Sequence, residues 1–296
     1  MSSVRAKELE GPAAARLGRR RWSRASVRRL ILSIVLIPIC LVWIYPMLWM
    51  VSSSLKTNGE IFSGLNLIPN VVQLGNYINA WVKADMGQYF VNSVIVTLGG
   101  VAIVLFTTST MGYVLGRYSF PGRKITIGFL AAIVFLPQGF TILPIFTLIN
   151  AMHLEGNLFG IILAESGSAH VIQILLFAGY FGQLPRELEE SATVDGAGFL
   201  RVFVQIYLPL AKPVIATVII MQFIASWNDF LVPLVLTLSQ PNLRTLAVGV
   251  YSFQGENLTD WATLCAASTI ALLPVVVVFL FLQRYFVEGI AGAVKQ

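Results

Sequence analysis

Three ionisable side chains stand where ionisable groups are costly. Glu165, His170 and Asp229 fall inside long runs of apolar residues. A charge near the centre of a bilayer costs at least ~2.5–3.5 kcal/mol on insertion scales, so such groups turn to a bundle interior or to water. Ser166 and Ser168 lie between Glu165 and His170, Trp227 and Asn228 precede Asp229, and Gln138 interrupts another apolar run. Donors and acceptors of this kind, set beside aromatic faces, are what a hydroxyl-rich solute needs. The same groups can instead pair with each other or carry ions. A solute pathway, an ion-coupled secondary transporter and a non-transporting membrane assembly protein are all compatible with them.

A second set of polar residues is gathered in one stretch, from Pro185 to Pro209. Pro185 suits the first position of a helix. Glu187, Glu189 and Glu190 then occupy the first turn, where the helix dipole favours negative charge. Leu188 and Ala192, four apart, share a face. Asp195-Gly196-Ala197-Gly198 predicts a break, Phe199 to Ile206 a second helix, and Leu208-Pro209 its end. The expected unit is a short helix–turn–helix presenting an acidic, small-residue surface. Other chemistry is missing. No G-x-x-x-x-G-K-[ST] cradles phosphates, no H-E-x-x-H or paired Cys/His spacing suits zinc, and no G-x-S-x-G elbow occurs. The sequence therefore predicts a protein that is not an enzyme and binds no metal. Cys40 and Cys265 lie in apolar runs and read as small buried residues.

The elements that must position these residues follow from composition. Of 296 residues, 56% are hydrophobic and 11% charged, where soluble domains carry about 25% charged residues. That excludes a soluble enzyme and a disordered chain. Six apolar blocks, at 30–54, 90–116, 125–149, 158–182, 210–236 and 262–286, are each long enough to cross the ~30 Å hydrocarbon core as a helix. Helix is expected over strand because lipid leaves no partner for an open strand edge. With both termini inside, 17 Lys and Arg fall on the cytoplasmic side and 3 outside, the bias expected of cytoplasmic loops. The first block is too long for a signal-peptide core, so an uncleaved helix is expected. The basic run around Arg19-Arg20-Arg21 suits anionic lipid rather than nucleic acid.

The loop carries a family resemblance. Glu190-Ser191-Ala192, Gly196 after three residues, and Ile206-Tyr207-Leu208-Pro209 after nine more resemble the EAA loop of permease subunits of ATP-binding-cassette importers, E-A-A-x3-G-x9-I-x-L-P. Ser191 stands where the pattern has Ala. Trp227-Asn228-Asp229-Phe230 resembles an element of carbohydrate-importer permeases. Gly292-Ala293-Val294-Lys295 resembles the tail of the smaller maltose-type permease, with Gln296 where Gly is usual. The resemblance covers about residues 30–296. It implies an all-α integral membrane protein with six transmembrane helices in the type I ABC importer permease fold. A basic segment 1–29, a permease domain 30–288 and a tail 289–296 would follow one another. It implies ATPase coupling through Glu190, Ser191, Ala192, Asp195, Gly196, Ile206, Leu208 and Pro209, and a tail contact through Gly292, Ala293, Val294 and Lys295. Trp227, Asn228, Asp229, Glu165, His170 and Gln138 would line the substrate pathway. The implied partners are a second homologous permease, two ATPase subunits, an extracytoplasmic solute-binding protein and a carbohydrate. ATP and Mg²⁺ would be used by the ATPases, with no cofactor on this chain. The implied location is the cytoplasmic membrane of a bacterium or archaeon.

Overall fold

The computed structural model describes residues 24–135, 141–168, 170–251, 253 and 260–294. Every element among them is helical. The chain divides into two compact units, residues 1–48 and 49–296. The first holds most of helix α1 (Arg24–Ser53), which accommodates Pro38 and Pro46. α1 begins at Arg24, so the last basic residues before residue 30 belong to the helix.

The second unit opens with α2 (Asn58–Ile61) and α3 (Gly75–Ile78), the latter running into a π turn at Asn79–Lys83. The 32-residue α4 (Met86–Arg117) follows. Then come α5 (Arg123–Ile133), α6 (Ile142–Ala151), α7 (Leu158–Ser166), α8 (Val171–Gln183) and α9 (Glu187–Val194). α10 (Phe199–Val202) leads through a π turn, Phe203–Tyr207, into α11 (Leu208–Leu210). α12 (Lys212–Trp227), α13 (Leu231–Leu236), α14 (Leu246–Tyr251) and α15 (Trp261–Val294) complete the unit.

Three described helices are long and apolar enough to cross a membrane, within α1, α4 and α15. Counting each bent pair as one span gives five. The pairs are α7 with α8, bent by 59°, and the α10–α11 segment with α12, bent by 79°. Of the six spans expected from composition, the described residues thus show three as single long helices and two as bent pairs. The expected third span is two shorter helices, α5 and α6, on either side of residues 136–140, which lie outside the described residues. The expected fifth span stops at Trp227. Asn228 Nδ2 donates to the Ile224 carbonyl at 2.8 Å, closing the last turn of α12. Asp229 Oδ1 accepts the Leu231 amide at 3.2 Å, at the start of α13. Asn and Asp serve such ends because their side chains bond nearby backbone. Two polar residues barely change the apolar content of a block, so the break is invisible in it.

α4 organises the second unit. A Cβ on Gly112 would stand 2.3 Å from Cβ of Phe177, and one on Gly116 2.5 Å from the Ala178 carbonyl oxygen. These glycines let the α4 and α8 backbones approach as small residues do in membrane bundles. At that end of α4 an aromatic core gathers Tyr113, Phe177, Phe181, Phe203 and Tyr207. Toward the other end, Met86, Tyr89, Phe223, Trp227 and Leu246 form a second core with α15.

Candidate functional site

The stretch 185–211 is built by three local causes. α9 starts at Glu187, so Pro185 precedes the helix rather than opening it, and three glutamates fill the first turn. The helix ends on Asp195, after which Gly196 takes φ +79°. That left-handed conformation costs glycine little and other residues more. α10 then starts, but Leu208-Pro209 does not end the second helix as expected. The Leu208 amide reaches back five residues to the Phe203 carbonyl in a π turn. Pro209 falls in α11, directly after that π turn. The chain turns only at Ala211, entering α12 at 79°.

One side of this unit is held and the other is free. Ala192, Ala197, Ile206 and Leu208 pack against the aromatic core. Glu190, Ser191, Asp195 and Gly196 are exposed, as are Val194 (88%) and Leu200 (69%). The exposed apolar pair at the tip did not stand out in the sequence, because neither residue belongs to the motif. An open recess of about 500 Å³ borders this face, lined by Arg117, Arg186, Glu189, Glu190, Thr193 and Val194.

Beneath the recess lies a polar knot that sequence reasoning missed. Arg117, the last residue of α4, has its side chain only 3% exposed and pairs with Glu189 at 3.2 Å. Its Nη1 donates to the Leu184 carbonyl at 2.8 Å and to that of Phe181 at 3.4 Å. Its guanidinium lies 5.1 Å from the centre of the Tyr207 ring. Tyr118 donates to Glu189 at 2.7 Å, and Tyr207 donates to it at 3.3 Å. Burial, followed by its hydrogen bonds to Tyr113 and Glu189, raises the Tyr118 pKa well above that of an ordinary phenol, so it stays a donor at any physiological pH. In the sequence, Arg117 read only as one inside positive charge and Glu189 only as a charge at a helix start.

The ionisable residues inside the bundle form a second arrangement. Glu165 is 7% exposed and accepts from Ser226 Oγ, linking α7 to α12. Ser226 Oγ lies 3.5 Å from Thr97 Oγ1 of α4. Gln222, on the same helix as Ser226, is 2% exposed. Glu165 Oε1 and Gln222 Oε1 are buried without a hydrogen-bond partner. Gly100 of α4 faces this group: a Cβ there would stand in ordinary contact with Ser226 Oγ at 3.7 Å and Ser166 Oγ at 3.8 Å. His170 precedes α8, with its Nε2 buried and unpartnered. Trp227 is buried; its indole donates to the Ala271 carbonyl at 2.9 Å and stacks on Phe223. Of the residues expected along a solute pathway, Glu165 is joined by Ser226, Thr97 and Gln222. Asn228 and Asp229 serve helix ends, and Trp227 packs against α15. Gln138 and Lys295 lie outside the described residues. Gly292, Ala293 and Val294 are the last residues of α15, which runs unbroken past residue 288.

Comparison with known proteins agrees with this architecture. The sequence model of the binding-protein-dependent transport system inner membrane component family matches residues 108–292. The chain is 34% identical over 284 residues to the diacetylchitobiose uptake system permease protein NgcG of Streptomyces coelicolor, covering 96% of this chain and 91% of the relative. It is 34% identical over 275 residues to the arabinooligosaccharides transport system permease protein AraQ of Bacillus subtilis, covering 91% and 97%. A chain in the crystal structure of a bacterial ABC transporter involved in alginate import shares the fold. The TM-score is 0.77 at 23% identity, over 90% of this chain and 99% of that one. With membrane-length helices, bent spans and an outstanding loop at 185–211, the chain belongs to the family of inner membrane components of binding-protein-dependent transport systems.

Proposed function

We propose that this chain is the smaller permease subunit of an ATP-driven carbohydrate importer. It forms half of a translocation pathway with a second, homologous permease. Two ATPase subunits, using ATP and Mg²⁺, dock on the cytoplasmic side, and an extracytoplasmic binding protein delivers the sugar. The observation that carries this reading is the 185–211 loop. Its packed side ties it to the bundle, and its other side leaves Glu190, Ser191, Val194 and Leu200 free for a partner. The residues with motif spacing divide accordingly. Ala192, Ile206 and Leu208 brace the unit from beneath, Gly196 turns it, and Glu190, Ser191 and Asp195 border the partner face. ATP-driven closure of the ATPases would move this unit and turn the cavity outward.

Sugar as cargo is supported by the relatives named for diacetylchitobiose and arabinooligosaccharide uptake, and by one named for melibiose, raffinose and stachyose import. The Glu165–Ser226–Gln222 arrangement supplies hydroxyl, amide and carboxyl groups of the kind that a sugar bonds. The end of α15, with Lys295 beyond it, would reach the ATPase dimer, and the basic segment before α1 would meet anionic lipid on the same side.

The test is the reconstituted complex. Co-expression with the neighbouring permease and ATPase genes should yield a complex that co-purifies. In proteoliposomes with the binding protein it should take up diacetylchitobiose, arabinotriose or raffinose only with ATP inside. Uptake driven by an ion gradient without an ATPase would instead favour a secondary transporter. A complex without flux of any solute would leave an assembly protein.

A further inference from the structure

Within the loop, α9 is joined to its neighbours by two short backbone connections. Pro185 and Arg186 form an exposed connection before α9. Gly196, with φ +79° and open space around it, forms the joint after α9. Backbone alone would let α9 swing under load, since glycine resists rotation less than any other residue. A stiffer link is present in side chains. Arg117 ends α4, the helix that packs on α7, α8 and α12 through Gly99, Gly100, Gly112 and Gly116. One guanidinium there joins three elements. It donates to the carbonyls that close α8, to the Glu189 carboxylate of α9, and faces the Tyr207 ring of the π turn. Carbonyls at a helix end and a carboxylate are what a planar five-donor group bonds together, and an ammonium lacks that fork. Glu189 is held in turn by Tyr118 and Tyr207.

We infer that Arg117 and Glu189 are positioning residues that clamp α9 to the ends of α4 and α8, so that movement of the docked ATPases is passed to the membrane helices. They act behind the partner face: the Arg117 side chain is buried, and Glu189 is drawn inward while Glu190 stays exposed. Losing the clamp should leave docking in place and uncouple hydrolysis from transport. This inference rests on the coupling role proposed above.

The experiment uses the whole complex with its binding protein, in proteoliposomes, with whichever of diacetylchitobiose, arabinotriose and raffinose the wild type carries. It measures ATPase co-purification and the ATP hydrolysed per sugar taken up. Glu189→Gln and Arg117→Lys should co-purify with the ATPase yet raise ATP per sugar by about tenfold, the factor corresponding to loss of one charged hydrogen bond. Tyr118→Phe, which removes the phenol donor to the Glu189 carboxylate, should also raise it by about tenfold, as loss of one hydrogen bond to a charged group would. Glu187→Gln, the exposed neighbour, should match wild type. A wild-type ratio in Glu189→Gln and Arg117→Lys overturns the clamp while leaving the coupling loop intact. If those two variants fail to assemble, Tyr118→Phe decides, and a wild-type ratio there overturns it equally. A wild-type complex that binds no ATPase ends the coupling role, and this inference with it.

Discussion

Single residues carry distinct duties that their types alone do not reveal. Glu165 is buried in the second unit, where it accepts from Ser226, which lies 3.5 Å from Thr97. Replacing Glu165 by alanine would leave the buried Ser226 hydroxyl without its carboxylate acceptor, at about 1–3 kcal/mol. Glu165→Ala should therefore lower the melting temperature of the detergent-solubilised protein by several degrees, while Glu165→Gln, which still accepts from Ser226, stays near wild type. Equal melting of both variants with wild type would remove the structural part of its role. Gly196 has open space around it but a left-handed φ of +79°. For other residues that conformation costs about 1–2 kcal/mol, so Gly196→Asp should weaken ATPase pull-down without hindering insertion. Asp260 stands just before α15. Burial pushes its pKa up, but bonds from Thr263, Asn58 and the Ala262 amide outweigh burial and hold it below its ordinary 3.8. A depressed carboxylate contributes stability that is full above the unfolded pKa and is lost as pH falls through the folded one. Acid unfolding monitored by near-ultraviolet circular dichroism should show this loss below about pH 4 in wild type. Asp260→Asn should be less stable at neutral pH and show a flatter acid limb.

At the scale of elements, what matters is how closely helices approach and where they stop. The α4–α8 contact leaves no room at Gly116, whose Cβ would stand 2.5 Å from the backbone oxygen of Ala178. Backbone cannot step aside as a flexible side chain can, and overpacking costs about 1–3 kcal/mol or more. Gly116→Val should thus separate α4 from α8 and loosen the Arg117 clamp one residue away. Its complex should melt earlier and transport less, whereas Gly128→Ala, with open space on α5, should do neither. The breaks between helices were legible only in part. Asp195-Gly196 announced a turn because glycine after a polar residue is a common helix stop. Asn228-Asp229 sat in an apolar block, and its role as stop and start depends on which backbone groups lacked partners there. The π turn at Phe203–Tyr207 left no sign in the sequence beyond the proline that follows it.

At the scale of the molecule, orientation and assembly set what the pieces can do. The distribution of Lys and Arg argues that both termini lie inside; on that orientation, reporter fusions at Asn70, Glu155 and Asn257 should read outside, and those at Arg123 and Glu190 inside. A cytoplasmic signal at Asn257 would overturn that arrangement. Deleting residues 290–296 removes the end of α15 and Lys295 but no part of α15 before residue 290. Membrane insertion should survive, while uptake falls if the tail meets the ATPase dimer. Full uptake after the deletion would restrict coupling to the 185–211 loop.

The sequence by itself determined the class of medium, the approximate positions of the apolar segments and the loop motif with its glycine. Each is a local property: composition in a window, or residue types at short fixed spacing. Family membership followed from the same signals. The tertiary structure decided where apolar blocks break, which face of the loop is free, and that Arg117 and Glu189 belong together. Those two residues are 72 positions apart, and neither is unusual in its own surroundings. Their pairing exists because Gly112 and Gly116 bring α8 against α4, which sets the carbonyls at the end of α8 beside the last residue of α4. A buried guanidinium needs acceptors for its donors, and the fold, not the neighbours of Arg117 in the chain, brings it the Phe181 and Leu184 carbonyls and the Glu189 carboxylate.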